Sequence, residues 1–190
     1  DVASTLLTTA LSDVESAAAR IGQIVADLKA FARPPATDGG TVDVVDTAEW
    51  AARATAHEFR MRARLVRELA PVPRIAADDV RLGQVVVNLL TNAAQAIGSG
   101  HRDEHTVVLA TRTDADGRVV IEVRDDGPGI PEDVRPHIFE PFFTTKRDSG
   151  GTGLGLAICH GIVAGLGGEL TTEPNPGGGT IMRVTLPAAP

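Results

Sequence analysis

Along the first 33 residues, apolar side chains recur at Leu7, Leu11, Val14, Ala18, Ile21, Val25, Leu28 and Ala32, alternately four and three apart. That is the seam of a coiled coil or a helical bundle. Pro34 and Pro35 stop the helix, and the ATDGG that follows reads as a link. One helix cannot bury its own seam, so the stretch is expected to pair with a second chain or with residues upstream of Asp1. A helix lying on its own domain is the alternative.

After residue 41 the pattern shortens into alternating strands and helices. TVDVVD predicts a short strand, with Asp46 capping a helix over TAEWAARATAHEF. ARLVREL predicts a strand, and PVPRIAA carries the chain to Asp78. A second helix starts there, its broad apolar face made by Leu82, Val85, Val86, Leu89, Leu90 and Ala93. Gly98 and Gly100 are expected to end it. HTVVLATRT and RVVIEVRD, joined by DADG, predict a hairpin. A third helix is expected from near Gly153 through LGLAICHGIVAGL, then a last strand pair, GELTTEP and GTIMRVTLP. The alternation is incomplete, which points to an α/β sandwich with an antiparallel-rich sheet.

Composition narrows the function. A chain of 190 residues suggests one domain with an appendage. The net charge of −7 argues against a nucleic-acid partner, which needs a basic face. No apolar run is long enough to span a bilayer, so no membrane contact is expected of this stretch. The first residues lack the basic start of a secretory signal. Cys159 is the single cysteine, which excludes an internal disulfide framework and fits a reducing compartment. Of the 20 glycines, 13 fall after residue 125, nine of them in DDGPGI, GGTGLGLAI and PGGGT.

Those glycines frame the candidate chemistry. Asn88 and Asn92, four apart in NLLTN, share one helix face. They are either a solvated polar edge or a pair of amide oxygens suited to Mg²⁺. DDGPGI follows a strand, so it is either a plain turn or an aspartate at a pocket floor that accepts from an amine such as adenine N6. Gly127 and Gly129 leave room for a flat ring. Gly151, Gly153 and Gly155 precede or open a helix whose free N–H groups favour phosphate. No P-loop pattern occurs, and Leu156 breaks the dinucleotide fingerprint.

Taken in order, NLLTNAAQA, DDGPGI, IFEPFFTTK, GTGLGL and GGGT resemble the N, G1, F, G2 and G3 boxes of sensor histidine kinases. The resemblance covers roughly residues 41 to 187. It implies the Bergerat ATP-binding fold: a two-layer sandwich of a mixed, largely antiparallel sheet on three helices, here behind one long bundle helix. Residues 1–35 resemble the second helix of a truncated dimerisation domain, 36–41 a linker, and 42–190 the catalytic domain. By resemblance, Asn92 is the principal Mg²⁺ ligand and Asn88 its neighbour in the metal and phosphate shell. Asp125, Gly127, Gly129 and Ile130 take the adenine end, with Thr180 assisting through water. Gly151, Thr152, Gly153, Leu154, Gly155 and Leu156 form the hinge and helix start that carry the phosphates. Lys146 lies in a lid, residues 131–150, and could reach the terminal phosphates. Phe139, Phe142 and Phe143 are expected to anchor that lid or to form part of the core.

Two positions depart from relatives. Gyrase-like and chaperone ATPases carry a glutamate where Asn88 stands, and an amide cannot take a proton from water. Asn88 therefore argues for transfer to another nucleophile. Gln95 replaces a lysine that many relatives place near the phosphates. The resemblance implies a phosphoacceptor histidine upstream of Asp1. His57-Glu58 imitates the acceptor pair in letters but closes a catalytic-domain helix, and His101, His105, His137 and His160 read as loop or packed residues. Cys159 reads as a small apolar helix residue. The expected ligands are ATP or ADP with Mg²⁺. A response regulator and a second copy of the full-length chain are the expected partners. The expected location is cytoplasmic, with a membrane tether elsewhere in the full-length protein as one option. An anti-sigma-type serine kinase of the same fold and a non-catalytic ATP-sensing module are the alternatives.

Overall fold

The computed structural model describes residues 40–100, 102–146 and 151–190, together with Ala18 and Gly22, which are helical. The rest of the seam and the expected linker as far as residue 39 lie outside the described residues.

The first strand among the described residues, β1 (Thr41–Val42), is shorter than the sequence predicts, because helix α1 (Val44–Ala54) begins inside the expected strand. Asp43, not Asp46, is its cap: the Asp43 carboxylate accepts from the Val45 and Asp46 N–H groups at 3.0 and 3.2 Å. That capping, with burial of Val44, overrides the β-preference of the paired valines. Asp46 instead sits in the first turn, where a carboxylate suits the helix dipole. The helix also stops earlier than expected. Thr55 turns its hydroxyl back onto the Ala51 carbonyl at 2.8 Å, and the turns that follow tuck Phe59 and Ala63 into the core.

Strand β2 (Arg64–Leu69) falls where ARLVREL predicts it. The expected connection PVPRIAA contains a short strand, β3 (Ile75–Ala76), which pairs antiparallel with β1. Helix α2 (Asp79–Ala96) is capped by Asp78, and its predicted apolar face is buried throughout. It ends at an extended Ile97 rather than in a glycine cap. Gly98 keeps an ordinary φ, while Gly100 takes φ +109° and donates its N–H to the Met61 carbonyl at 2.8 Å. Gly83 lies mid-helix at some cost in propensity. An added Cβ there would come within 3.0 Å of the half-exposed Trp50 ring that covers it.

The hairpin β4 (Thr106–Thr113) and β5 (Val119–Asp125) follows as predicted. After a 3₁₀ turn at Arg135–His137 comes α3 (Gly155–Gly165), which starts two residues later than expected because Gly153 holds φ +70°. Strands β6 (Glu169–Pro174) and β7 (Thr180–Leu186) complete a five-stranded sheet in the order β2-β4-β5-β7-β6. Only β2 and β4 are parallel, joined by a crossover through β3 and α2. The mixed, largely antiparallel sheet on three helices is the expected sandwich.

Alternation along the central β5 sorts its side chains. Val119, Ile121 and Val123 join the helix-packed core. Glu122 faces the other way, where it accepts from Arg183 Nε at 2.7 Å and from Arg112 Nη2 at 3.1 Å. Burial alone would raise the Glu122 carboxyl, but the two guanidiniums bring it below the usual carboxylate value. No helix among the described residues is long and apolar enough to cross a membrane.

Candidate nucleotide-binding cleft

Asp125 is the last residue of β5, in phase with Val119, Ile121 and Val123, so its side chain falls on the helix side of the sheet. It is 4% exposed. Its Oδ1 accepts from the Gly127 N–H at 3.0 Å and the Thr180 N–H at 3.3 Å. Burial pushes the Asp125 carboxyl above its usual value, the two N–H groups oppose this, nearby Asp126 adds to it, and Lys146 acts against it. The second carboxylate of the DD pair has another role. Asp126 turns to the start of β4, accepting from Thr106 N–H at 2.8 Å and lying 2.9 Å from His105 Nδ1.

Asp125 forms part of the wall of a cleft of about 610 Å³. Asn88 and Asn92, one helical turn apart on α2, line it too. Asn88 Nδ2 donates to the Gly155 carbonyl at 3.4 Å, and neither amide oxygen accepts a hydrogen bond from a described residue. Gly151, Thr152, Gly153, Gly155 and Leu156 bring the start of α3 to the same space. That helix has no side-chain cap, so its first N–H groups are not satisfied by a capping side chain.

Gly129, Ile130, Lys146 and Thr180 also line the cleft. Gly129 takes φ +78°, and Thr180 is buried at the head of β7. Burial and the proximity of Arg62 lower the Lys146 ammonium below its usual value, with Asp125 pulling the other way. Two expected site residues stand behind the wall instead of in it. Gly127 holds the Asp125 carboxylate through its N–H, and a Cβ there would sit 3.0 Å from that oxygen. Leu154 precedes α3, packs against the core, and donates its N–H to Thr152 Oγ1 at 3.3 Å.

The phenylalanines divide. Phe139 packs on the core and stacks on His160 with ring centroids 5.4 Å apart, and Phe143 lines the cleft. Phe142 does not anchor. It is 70% exposed and holds φ +67°, its N–H donating to the Gly153 carbonyl at 2.9 Å. Residues 147–150 of the expected lid, and His101, lie outside the described residues. Gln95 borders the cleft, as do Glu58 and Met182, which the sequence reading did not select. Asn175 is the more telling omission: its Nδ2 donates to the Asp125 carbonyl at 2.8 Å. Its sequence signal, an asparagine in the turn PNPGGGT, is common to turns of any purpose. No described histidine lines the cleft: His57 faces Glu58, His105 faces Asp126, His137 faces Glu140, and His160 stacks on Phe139. Cys159 is buried on α3.

The chain and its fold are similar to known proteins. Residues 77–190 match the family described as histidine kinase-, DNA gyrase B-, and HSP90-like ATPase. The chain is 37% identical over 183 residues to the C4-dicarboxylate transport sensor protein DctB of Pseudomonas aeruginosa, covering 95% of this chain and 30% of that protein. It thus spans under a third of the length of that curated relative. Among solved structures, the catalytic domain of the histidine kinase ThkA is 30% identical, with a TM-score of 0.68, over 80% of this chain and 98% of that one. Full-length ShkA, solved with AMPPNP, is 31% identical with a TM-score of 0.71, over 88% of this chain and 35% of that one. These relatives favour a sensor kinase over the serine kinase and the non-catalytic module. The chain belongs to the family of histidine kinase-, DNA gyrase B- and HSP90-like ATPases, and it carries the ATP-binding domain of a sensor histidine kinase.

Proposed function

We propose that the cleft binds Mg·ATP with adenine on Asp125 and phosphates at the α2 and α3 end, for transfer to a histidine outside this chain. The carrying observation is a buried carboxylate in the same cleft as two amide oxygens and an uncapped helix start. The Asp125 carboxylate accepts from the exocyclic amine, while Thr180 and Gly129 border the ring. Asn88 and Asn92 are the residues that would hold Mg²⁺. The donor set fits: neutral amide oxygens suit a hard cation that takes its remaining ligands from water and phosphate. Bound there, Mg²⁺ would neutralise charge on the phosphates. No group of three metal-ligating His, Cys, Asp or Glu side chains competes for it among the described residues.

In the transfer, a histidine ring nitrogen takes the γ-phosphoryl, an N–P bond forms, and the bond to the ADP oxygen breaks. Lys146, which lines the same cleft, would balance charge on the departing ADP. An amide at Asn88 leaves no base there for water, which favours transfer over hydrolysis. The acceptor belongs to a helical hairpin of the full-length protein, and the phosphoryl group passes on to an aspartate of a response regulator. Dimerisation through that hairpin, with the seam of residues 7–32 as its second helix, completes the reading. Exposed Phe142 offers the lid a contact for the hairpin when phosphate is delivered.

Calorimetry tests the site. ADP should bind the wild-type chain, Asp125→Asn should lose most of that affinity, and Asn92→Ala should retain nucleotide yet lose the dependence on Mg²⁺. Unchanged binding in both variants overturns the assignment. With the full-length protein and ATP, the product should be an acid-labile phosphohistidine, and none should form on this chain alone.

A further inference from the structure

We infer that the domain has a second small-ligand site, beside the nucleotide cleft, that takes a compact carboxylate and acts on Asp125. Next to the cleft, and sharing Gly129, Ile130 and Thr180 with it, is a second, open cavity of about 300 Å³, within the range of small-molecule pockets. Arg135, from the 3₁₀ turn, borders it. This side chain is half-buried, donates at 3.4 Å to the Ile130 carbonyl, and pairs with no carboxylate among the described residues. Glu173 borders the cavity too, but Arg183 already holds its carboxylate. The cavity therefore has one positive charge that nothing described neutralises.

Thr172 forms another part of the wall. Its hydroxyl is shielded from solvent and has no hydrogen-bond partner. A buried hydroxyl left so is destabilising. Rotation of the Thr172 side chain toward the cavity would bring the hydroxyl to an accepting oxygen lodged there and supply the partner. Pro128, Pro131 and Pro174 add apolar surface. One cation, one unsatisfied hydroxyl and proline walls suit a carboxylate on a short apolar body.

A ligand there touches what holds Asp125. Asn175 and Gly179 border the same cavity, and Asn175 Nδ2 donates to the Asp125 carbonyl at 2.8 Å. Gly179 packs so closely on that carbonyl that an added Cβ would lie 2.0 Å from its oxygen. The next residue, Thr180, donates its N–H to the Asp125 carboxylate. Filling the cavity shifts the turn and, through it, the carboxylate. This half of the proposal rests on Asp125 as the adenine contact, whereas binding to the cavity does not.

Benzoate is the probe and benzamide its neutral control, followed by amide NMR shifts on the nucleotide-free chain. Benzoate should give saturable shifts at Thr172, Asn175 and Gly179 with a Kd of about 1 mM. Benzamide should give none, and Arg135→Gln should weaken benzoate roughly tenfold. Thr172→Val, which keeps the side-chain shape, should also weaken it. Benzoate and ADP should change each other's affinity by one common factor. No saturation by about 20 mM, an equal response to benzamide, or unchanged binding in Arg135→Gln overturns the site. Shifts centred on Asn88 and Asn92 that ADP abolishes would put benzoate in the nucleotide cleft and overturn it too. Independent affinities overturn the action on Asp125 alone, and a failure of ADP binding in the wild type would separately indict the nucleotide assignment.

Discussion

Two adjacent aspartates do unlike work because β5 ends between them, with Asp125 on the helix side of the sheet and Asp126 turned to the start of β4. Asp125 enters the cleft, and Asp126 ties the strand end to β4. Burial raises the Asp125 carboxyl, so its negative charge costs stability at pH above that raised value, and protonation removes the cost as pH falls. Nucleotide binding runs the opposite way, since only the carboxylate can accept from adenine without a proton to place. Asp125→Asn keeps an oxygen for the Gly127 and Thr180 N–H groups. The nucleotide-free variant should melt no lower than wild type near neutral pH, and up to about 2–4 °C higher, while ADP affinity falls roughly tenfold or more. Scanning fluorimetry and calorimetry measure the two effects. A large loss of melting temperature would mean that Asp125 is chiefly structural. In the wild type, ADP affinity should fall as acid protonates Asp125, before the fold is lost. Asn175 belongs to the same scale. Nothing in its local sequence separates it from an ordinary turn residue, because its partner carbonyl is 50 positions away.

The elements meet through glycines whose roles differ by contact and not by letter. Gly179 has φ +93° and no room for a Cβ against Asp125, and Gly153 has φ +70° with the Phe142 carbonyl carbon 2.5 Å from where a Cβ would sit. Gly117, in the β4–β5 turn, has φ +77° but open space, and Gly98 has open space with an ordinary φ. Alanine at these positions should therefore rank. Gly179→Ala should be the most damaging, by more than about 3 kcal/mol, because neither backbone can yield. Gly153→Ala should cost about 1–3 kcal/mol and loosen the lid segment. Gly117→Ala should cost about 1 kcal/mol from its φ alone, and Gly98→Ala close to nothing. Urea melts give the order, and a severe Gly98→Ala would contradict the contact argument. Element boundaries follow similar logic. The paired valines of TVDVVD favour a strand, yet the Asp43 cap and the burial of Val44 turn them into a helix start.

Across the whole molecule, the helix-covered face of the sheet carries the cleft, and the opposite face carries charge. Glu122 joins Arg112 of β4 and Arg183 of β7, Arg183 reaches Glu173 of β6, and Arg124 reaches Glu68 of β2. These pairs bind the strands that deliver Asp125 and Thr180 to the cleft. The Glu122 carboxyl lies below its usual value, so its contribution is present at neutral pH and is lost as pH falls through that lowered value. Glu122→Gln should destabilise the chain by roughly 1–3 kcal/mol near neutral pH, and the gap to wild type should close in acid. A gap independent of pH would show that packing rather than charge explains it.

What could be read from residue order was whatever depends on short-range spacing. The apolar face of α2 repeats with the helical period, the β4–β5 hairpin announces itself by its turn, and the ordered boxes carry the family resemblance. Asn88 and Asn92 needed only one helical turn to share a face. Tertiary structure alone decided which polar groups lost water and which backbones came into contact. It withdrew Gly127 and Leu154 from the cleft wall, left Phe142 in solvent, and set Asn175 against Asp125. Those outcomes depend on strands from distant parts of the chain lying side by side, and no local period encodes a contact of that range.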